Sequence, residues 1–192
     1  MKNNGPLLHY ISKYIQLTQD EKEEFESILI RTCVQRKSYL VQPGDMVNHI
    51  YFVLSGCLKA YYQDEMGNMH ILQFAVEDWW ITDFDAMHHK APAALYIRAI
   101  EDSSLVGIDM RSLELLFARI PKFERFFRIL YTKAFIALRK RVMSSLQKSC
   151  ADRYLEFCEK YPGIQKRVTN YHIANYLGVT AESLSRIRRV LN

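Results

Sequence analysis

After a helical opening, the hydrophobic period of this 192-residue chain turns to two near Arg31 and back to helical at Met110, and the second change limits the fold more than any other feature. From about Arg31 to residue 108, apolar side chains alternate in short runs between glycine- and proline-containing turns. From Met110 they recur every three or four residues to the end of the chain. Alternation fits strands half-buried on one face, and the later spacing fits amphipathic helices. Short strands in succession with glycine in the turns, and helices afterwards, point to a sandwich or barrel rather than to alternating βαβ units. They predict an α+β chain, an antiparallel β-roll of jelly-roll type with flanking helices, followed by a helical half.

The strand region reads in order. Residues 6–30 are helical, with Leu8, Ile11, Tyr14 and Ile15 in a stripe and Thr18 as a cap before the acidic Asp20 and Glu21. Val34 to Val41 is a candidate strand ended by Pro43-Gly44-Asp45. Runs 49–54, 57–62 and 69–74 are separated by Ser55-Gly56 and by the turn at 64–68. Trp79-Trp80-Ile81 precedes a short helix and loop, and runs 95–100 and 104–108 complete the strands.

In the helical half, Pro121 suits a first helical turn and opens the longest pattern, residues 121–147. Phe123, Phe126, Phe127, Leu130, Ala134, Ala137, Leu138 and Val142 form one stripe along it. About 25 residues span nearly 40 Å, too long for the core of a small roll, so the stripe predicts a dimer seam. The competing reading packs the whole helix on its own β-domain. The expected domains are a roll over 1–120, the long helix over 121–147 and a terminal helical domain over 148–192.

That terminal domain holds two short helical patterns around a Gly-Val-Thr turn. Thr169 is a candidate N-cap before Ile173, Ala174 and Leu177; Gly178 suits a left-handed helix end, and Thr180 caps the next helix. Leu184, Ile187, Val190 and Leu191 lie on one face of that helix. Glu182, Ser185, Arg186, Arg188 and Arg189 lie on the other, and small Ala181 and Ser183 open it. This is the layout of a helix-turn-helix; an ordinary helical hairpin with a solvated basic face has the same pattern. Charge favours the first. Residues 1–110 carry 9 Lys/Arg against 15 Asp/Glu, and residues 111–192 carry 17 against 6. A net of −6 is thus joined to one of +11, and a strongly basic half has a polyanion as its natural partner.

Taken together, the order Pro43-Gly44-Asp45, Ile50 to Gly56, Tyr61-Tyr62 and Gly67, then the long helix from Pro121 and the helix-turn-helix, resembles the Crp–Fnr family of transcription regulators along nearly the whole chain. The resemblance implies a cyclic-nucleotide-binding-like sensory roll and a homodimer formed through helix 121–147. It implies double-stranded DNA as partner, a possible small-molecule effector and contact with RNA polymerase. Two recognition helices would enter major grooves about 34 Å apart on a near-palindromic site. Glu182 and Arg186 fall where the family reads bases. Arg186 suits guanine and Glu182 the cytosine amino group, with Thr180, Ala181 and Ser185 beside them. Lys166, Arg167, Thr169, Arg188 and Arg189 are candidates for backbone contact.

Two departures follow. Cyclic AMP sensors of this family use Gly-Glu and Arg-Ser-Ala segments; here Thr82-Asp83 and Ala93-Ala94 stand in those places. Ala93 cannot clamp a phosphate as an arginine does, so cyclic AMP is not the expected effector. Asp83, Arg98 and Trp80 remain effector-pocket candidates, with Arg98 expected in a structural role. The sequence also ends directly after the second helix, which predicts a reading head without the family's β-hairpin wing.

Other chemistry finds little footing. The four cysteines are scattered, with none clustered for an iron–sulfur centre. His88-His89 reads as solvated, no metal or cofactor site is expected, and no nucleophile–base arrangement suggests an enzyme. Neither a signal peptide nor a membrane-spanning run occurs, so a cytoplasmic protein is expected. The alternative function is a β-roll ligand-binding or protein-interaction module whose helical tail docks a protein partner. A third reading is a constitutive DNA binder whose roll only scaffolds the dimer; a side-chain-filled roll would favour it.

Overall fold

A computed structural model describes residues 4–191. Two helices open the chain, α1 (Gly5–Ser12) and α2 (Gln19–Ser27). The second starts with a full capping box: Thr18 Oγ1 accepts from the Glu21 amide while the Glu21 carboxylate accepts from the Thr18 amide. Eight strands follow: β1 (Ile30–Val34), β2 (Tyr39–Val41), β3 (His49–Ser55), β4 (Leu58–Gln63), β5 (Met69–Ala75), β6 (Trp80–Ile81), β7 (Tyr96–Ala99) and β8 (Ser103–Asp109). A short helix, α3 (Phe84–His89), lies between β6 and β7. They form two four-stranded sheets, ordered β1-β8-β3-β6 and β2-β7-β4-β5. In the first, antiparallel pairing sets Phe52 opposite Val106 and Ile50 opposite Ile108. The helical half holds α4 (Met110–Arg119), α5 (Lys122–Gln147), α6 (Cys150–Lys160), α7 (Asn170–Leu177) and α8 (Ala181–Leu191).

The expected strand from Val34 to Val41 is instead a turn between two strands. Residues 35–38 reverse the chain, with Ser38 donating to the Gln35 carbonyl and Lys37 left-handed at φ 70°. Sequence alternation carries through the turn, and so conceals it. The solvent-exposed His88-His89 pair closes α3, and His89 pairs with Asp85 one turn earlier.

The chain divides into two compact units, residues 1–60 with 74–132 and residues 61–73 with 133–192. These bounds cut through the long helix and assign the tip of the β4–β5 hairpin to the second unit. In the first unit, one apolar cluster joins Leu7, Ile11, Phe25, Phe52, Trp80 and Val106 to Leu113, Phe123, Phe126 and Phe127. A second fills the roll with Val53, Leu58, Ala60, Ile81, Ala86, Ile97 and Leu105.

The long helix corrects the single-seam expectation. Phe123, Phe126 and Phe127 are buried in the first unit's own core, and Phe127 packs edge-on against Trp80 at 5.5 Å. Beyond Leu130 the stripe emerges: Phe135 is 66% exposed, Leu138 59%, Val142 50% and Leu146 76%. Burial of the first turns anchors the helix; the later turns present an uncovered apolar face.

Candidate nucleic-acid interface

The second unit builds its helices from caps inward. Ser149 accepts from the Asp152 amide to start α6, and Thr169 accepts from the His172 amide at 3.3 Å to start α7. Gly178 ends α7 at φ 68°, a left-handed conformation that costs glycine little. Two residues on, Thr180 Oγ1 accepts from the Ser183 amide at 3.2 Å, and the Thr180 carbonyl accepts from Leu184 to open α8. The turn between α7 and α8 is therefore set at both ends. Ile173, Ala174, Leu177 and Leu184 are buried inside the angle, and Phe157, Tyr161 and Tyr176 pack ring to ring at 5.1–5.8 Å beneath α7.

Only Leu184 of the expected apolar face of α8 is buried. Ile187 is half-buried, Val190 is 86% exposed and Leu191 is exposed. The opposite face is as the spacing predicts. Glu182, Arg186 and Arg189 are exposed and, with Ala181 and Ser185, line an open concavity of about 320 Å³. Glu182's own backbone amide, then Thr180 and Arg186, hold its carboxyl below the usual carboxylate value. At neutral pH this face thus presents one ionised acceptor beside two guanidinium groups. Arg186 lies within 3.5 Å of Ser183 Oγ, which leaves most of its five donors outward. Arg188 donates to the Asn170 side chain at the start of α7, so it spans the two helices. Lys166 and Thr169 are exposed, and Arg167 is half-buried, in the approach to α7.

The three effector candidates lie apart in role. Asp83 is 2% exposed and its carboxylate accepts from three backbone amides, Ala86 at 3.2 Å, Ala94 at 3.2 Å and Leu95 at 3.3 Å. Arg98 donates to the Lys37 carbonyl at 2.8 Å and lies over the Tyr39 ring, while its neighbours Ile97 and Ala99 join the roll's interior cluster. Trp80 packs with Phe52 and Phe127 in the other apolar cluster.

Comparison with known proteins agrees with this layout. Residues 31–119 match the family model described as a cyclic nucleotide-binding domain. The chain is 26% identical over 183 residues to the regulatory protein HlyX of Actinobacillus pleuropneumoniae, covering 89% of this chain and 75% of that protein. It is 24% identical over 186 residues to the fumarate and nitrate reduction regulatory protein of Escherichia coli K12, covering 89% and 72%. Among solved structures, FixK2 of Bradyrhizobium japonicum superposes with TM-score 0.73 at 16% identity, covering 85% of this chain and 84% of that one. The regulator CLP of Xanthomonas campestris gives 0.68 at 16%, covering 91% of each. The chain thus carries a cyclic nucleotide-binding domain match over residues 31–119, is similar in sequence to these regulatory proteins, and shares the fold of FixK2 and CLP.

Two features of this chain escape sequence reasoning. Asn170 holds Arg188 across eighteen positions, and its place directly after a cap residue gives it no distinguishing signal. Arg153, on α6, donates to the Leu177 carbonyl at 2.8 Å and so caps the C-terminus of α7. A basic residue on an amphipathic helix reads as solvated surface, and a main-chain acceptor leaves no trace in sequence. The expectation of a head without a wing concerns residues beyond those described, which end at Leu191. Among the described residues, no helix is long and apolar enough to cross a membrane.

Proposed function

We propose that this chain is a DNA-binding transcription regulator of the Crp–Fnr type, acting in the cytoplasm as a homodimer that lays α8 of each protomer in successive major grooves of a near-palindromic DNA site. The observation that carries the reading is the outer face of α8: an ionised Glu182 beside Arg186 and Arg189, on a helix fixed by the Thr180 cap and the buried Leu184. Arg186 reads guanine through its two-pronged guanidinium, and Glu182 accepts from a cytosine amino group. Thr180, Ala181 and Ser185 complete the base-facing set. Lys166, Arg167, Thr169, Arg188 and Arg189 hold the backbone.

The exposed half of α5 is the dimer seam in this reading. Phe135, Leu138 and Val142 repeat at three- and four-residue spacing, as a coiled-coil seam requires. The roll is not a cyclic AMP receptor. Ala93 offers no guanidinium, and the Ala94 and Leu95 amides already donate to Asp83. A small-molecule effector of other chemistry and RNA polymerase are the remaining partners. A filled roll interior also favours the third reading, a constitutive DNA binder whose roll serves as dimer scaffold.

The test is selection of duplexes from a random pool, followed by binding across a salt series. A selected site, bound with a steep salt dependence, is expected. Arg186→Ala should cost about 1–3 kcal/mol on that site and relax preference at one base pair. Equal weakening on every sequence would make Arg186 a phosphate contact, and no binding at low salt would refute the DNA reading.

A further inference from the structure

Arg141 lies in the half of α5 that belongs to the second unit. Its guanidinium is engaged by groups far apart in sequence. One terminal nitrogen donates to the Leu72 carbonyl of β5. The other donates to the Ile71 carbonyl at 2.9 Å and to the Tyr176 carbonyl at 2.8 Å. The guanidinium carbon also lies 4.1 Å from the centroid of the Tyr176 ring.

Each acceptor has a reason to need a donor. The last carbonyls of an α-helix have no partner within it, and Tyr176 is the penultimate residue of α7. A cation there also meets the negative end of the helix dipole. β5 is the edge strand of its sheet, where no further strand supplies donors among the described residues. Arg153 caps the neighbouring Leu177 carbonyl, and its other terminal nitrogen lies 3.5 Å from Cys150 Sγ on its own helix. The two arginines thus share one helix end, and Arg141 alone of the pair also holds the hairpin.

We infer that Arg141 is a positioning residue for DNA binding, tying the β4–β5 hairpin to the turn that sets α8. Movement of the hairpin is then transmitted to the turn through three hydrogen bonds and one stacked face, without passing along the intervening chain. Lysine cannot substitute. Its single ammonium is a compact point charge, without the planar fork needed to span three carbonyls while lying on a ring. The link rests on the proposed role of α8, but its first test does not.

In the free, full-chain protein, hydrogen exchange is followed at residues 69–75 and 170–177 in wild type, Arg141→Lys and Arg153→Lys. Arg141→Lys is expected to speed exchange in both segments together, by roughly tenfold given the loss of charge-assisted bonds. Arg153→Lys should speed only 170–177. Unchanged exchange at 69–75 in Arg141→Lys overturns the inference, as does an equal effect of Arg153→Lys there.

The second test uses a duplex selected by the wild-type protein. Arg141→Lys should weaken binding with an unchanged slope of affinity against salt. A slope reduced by about 0.9 would make Arg141 a phosphate contact and overturn its positioning role. Where no duplex is selected, the DNA reading fails, while the exchange result still decides the tie. Should Arg141→Lys melt before exchange can be read, the wild-type Arg141 Nη–H resonances serve instead. Slow solvent exchange of those protons, and a shift on adding duplex, are expected; freely exchanging Nη protons overturn the inference.

Discussion

Truncating Leu138 tests the division of α5 into an anchored and an exposed part. Leu138 is 59% exposed in one chain, on the same face as Phe135 and Val142. Fully burying a leucine side chain is worth about 1.5–3 kcal/mol, and the seam would cover a little over half of it. Allowing for the carbon that alanine keeps, each chain loses about 1 kcal/mol, and the dimer about 2 kcal/mol. That corresponds to a dissociation constant raised roughly thirtyfold. Sedimentation equilibrium over a concentration range measures it directly. Phe127→Ala is the control on the same helix. Phe127 is 1% exposed and touches Trp80, Phe117 and Phe126 within its own unit. Its loss should cost about 3–5 kcal/mol of stability and lower the melting temperature by on the order of 10 °C. It should leave the dissociation constant of the remaining folded protein near that of wild type. If Leu138→Ala leaves dimerisation unchanged, the exposed stripe is not the seam.

Two further outcomes follow from the first unit. At Gly56, with φ 102°, an added Cβ would lie 2.3 Å from Ser103 Oγ and 2.7 Å from the Asp102 carbonyl oxygen. Gly56→Ala should therefore destabilise by about 2–4 kcal/mol. Gly67→Ala, with nothing nearer than 3.8 Å, should cost about 1 kcal/mol. Equal denaturation midpoints for the two variants would refute the steric account. Lys59 is 3% exposed on β4, and burial, then the nearby Arg98 charge, lowers its ammonium from 10.5 to about 8. The unfolded chain then binds the extra proton between those values, so this group's contribution to stability rises as pH climbs from about 8 to 10.5. Urea midpoints at the two ends of that window should rise more in wild type than in Lys59→Met. Parallel rises would mean that Lys59 titrates normally.

The same two residues show where the sequence is legible. Ser55-Gly56 marks a turn because glycine's preference is local. The caps at Thr18, Thr169 and Thr180 and the helix end at Gly178 are legible for the same reason, since each acts within three residues. So is the outer face of α8, which depends on helical spacing alone. Lys59 is illegible. It stands between Leu58 and Ala60 in an alternating strand, where a cation should face water, yet it is covered. Periodicity assigns a side chain to a face and says nothing of what lies on that face. The split in α5 is hidden for the same reason: Phe127 and Leu138 belong to one stripe, and only the tertiary fold decides that the first is covered by its own chain. The α8 stripe misleads in the reverse direction, since Val190 shares its spacing with Leu184 and is left in solvent. Arg141 and Arg153 are the limiting case. Their partners are carbonyl oxygens that every residue possesses, so no substitution pattern in the partner encodes the contact. The residues expected to face DNA are thus readable from local rules, whereas those that hold the reading helix in place are readable only from the folded chain.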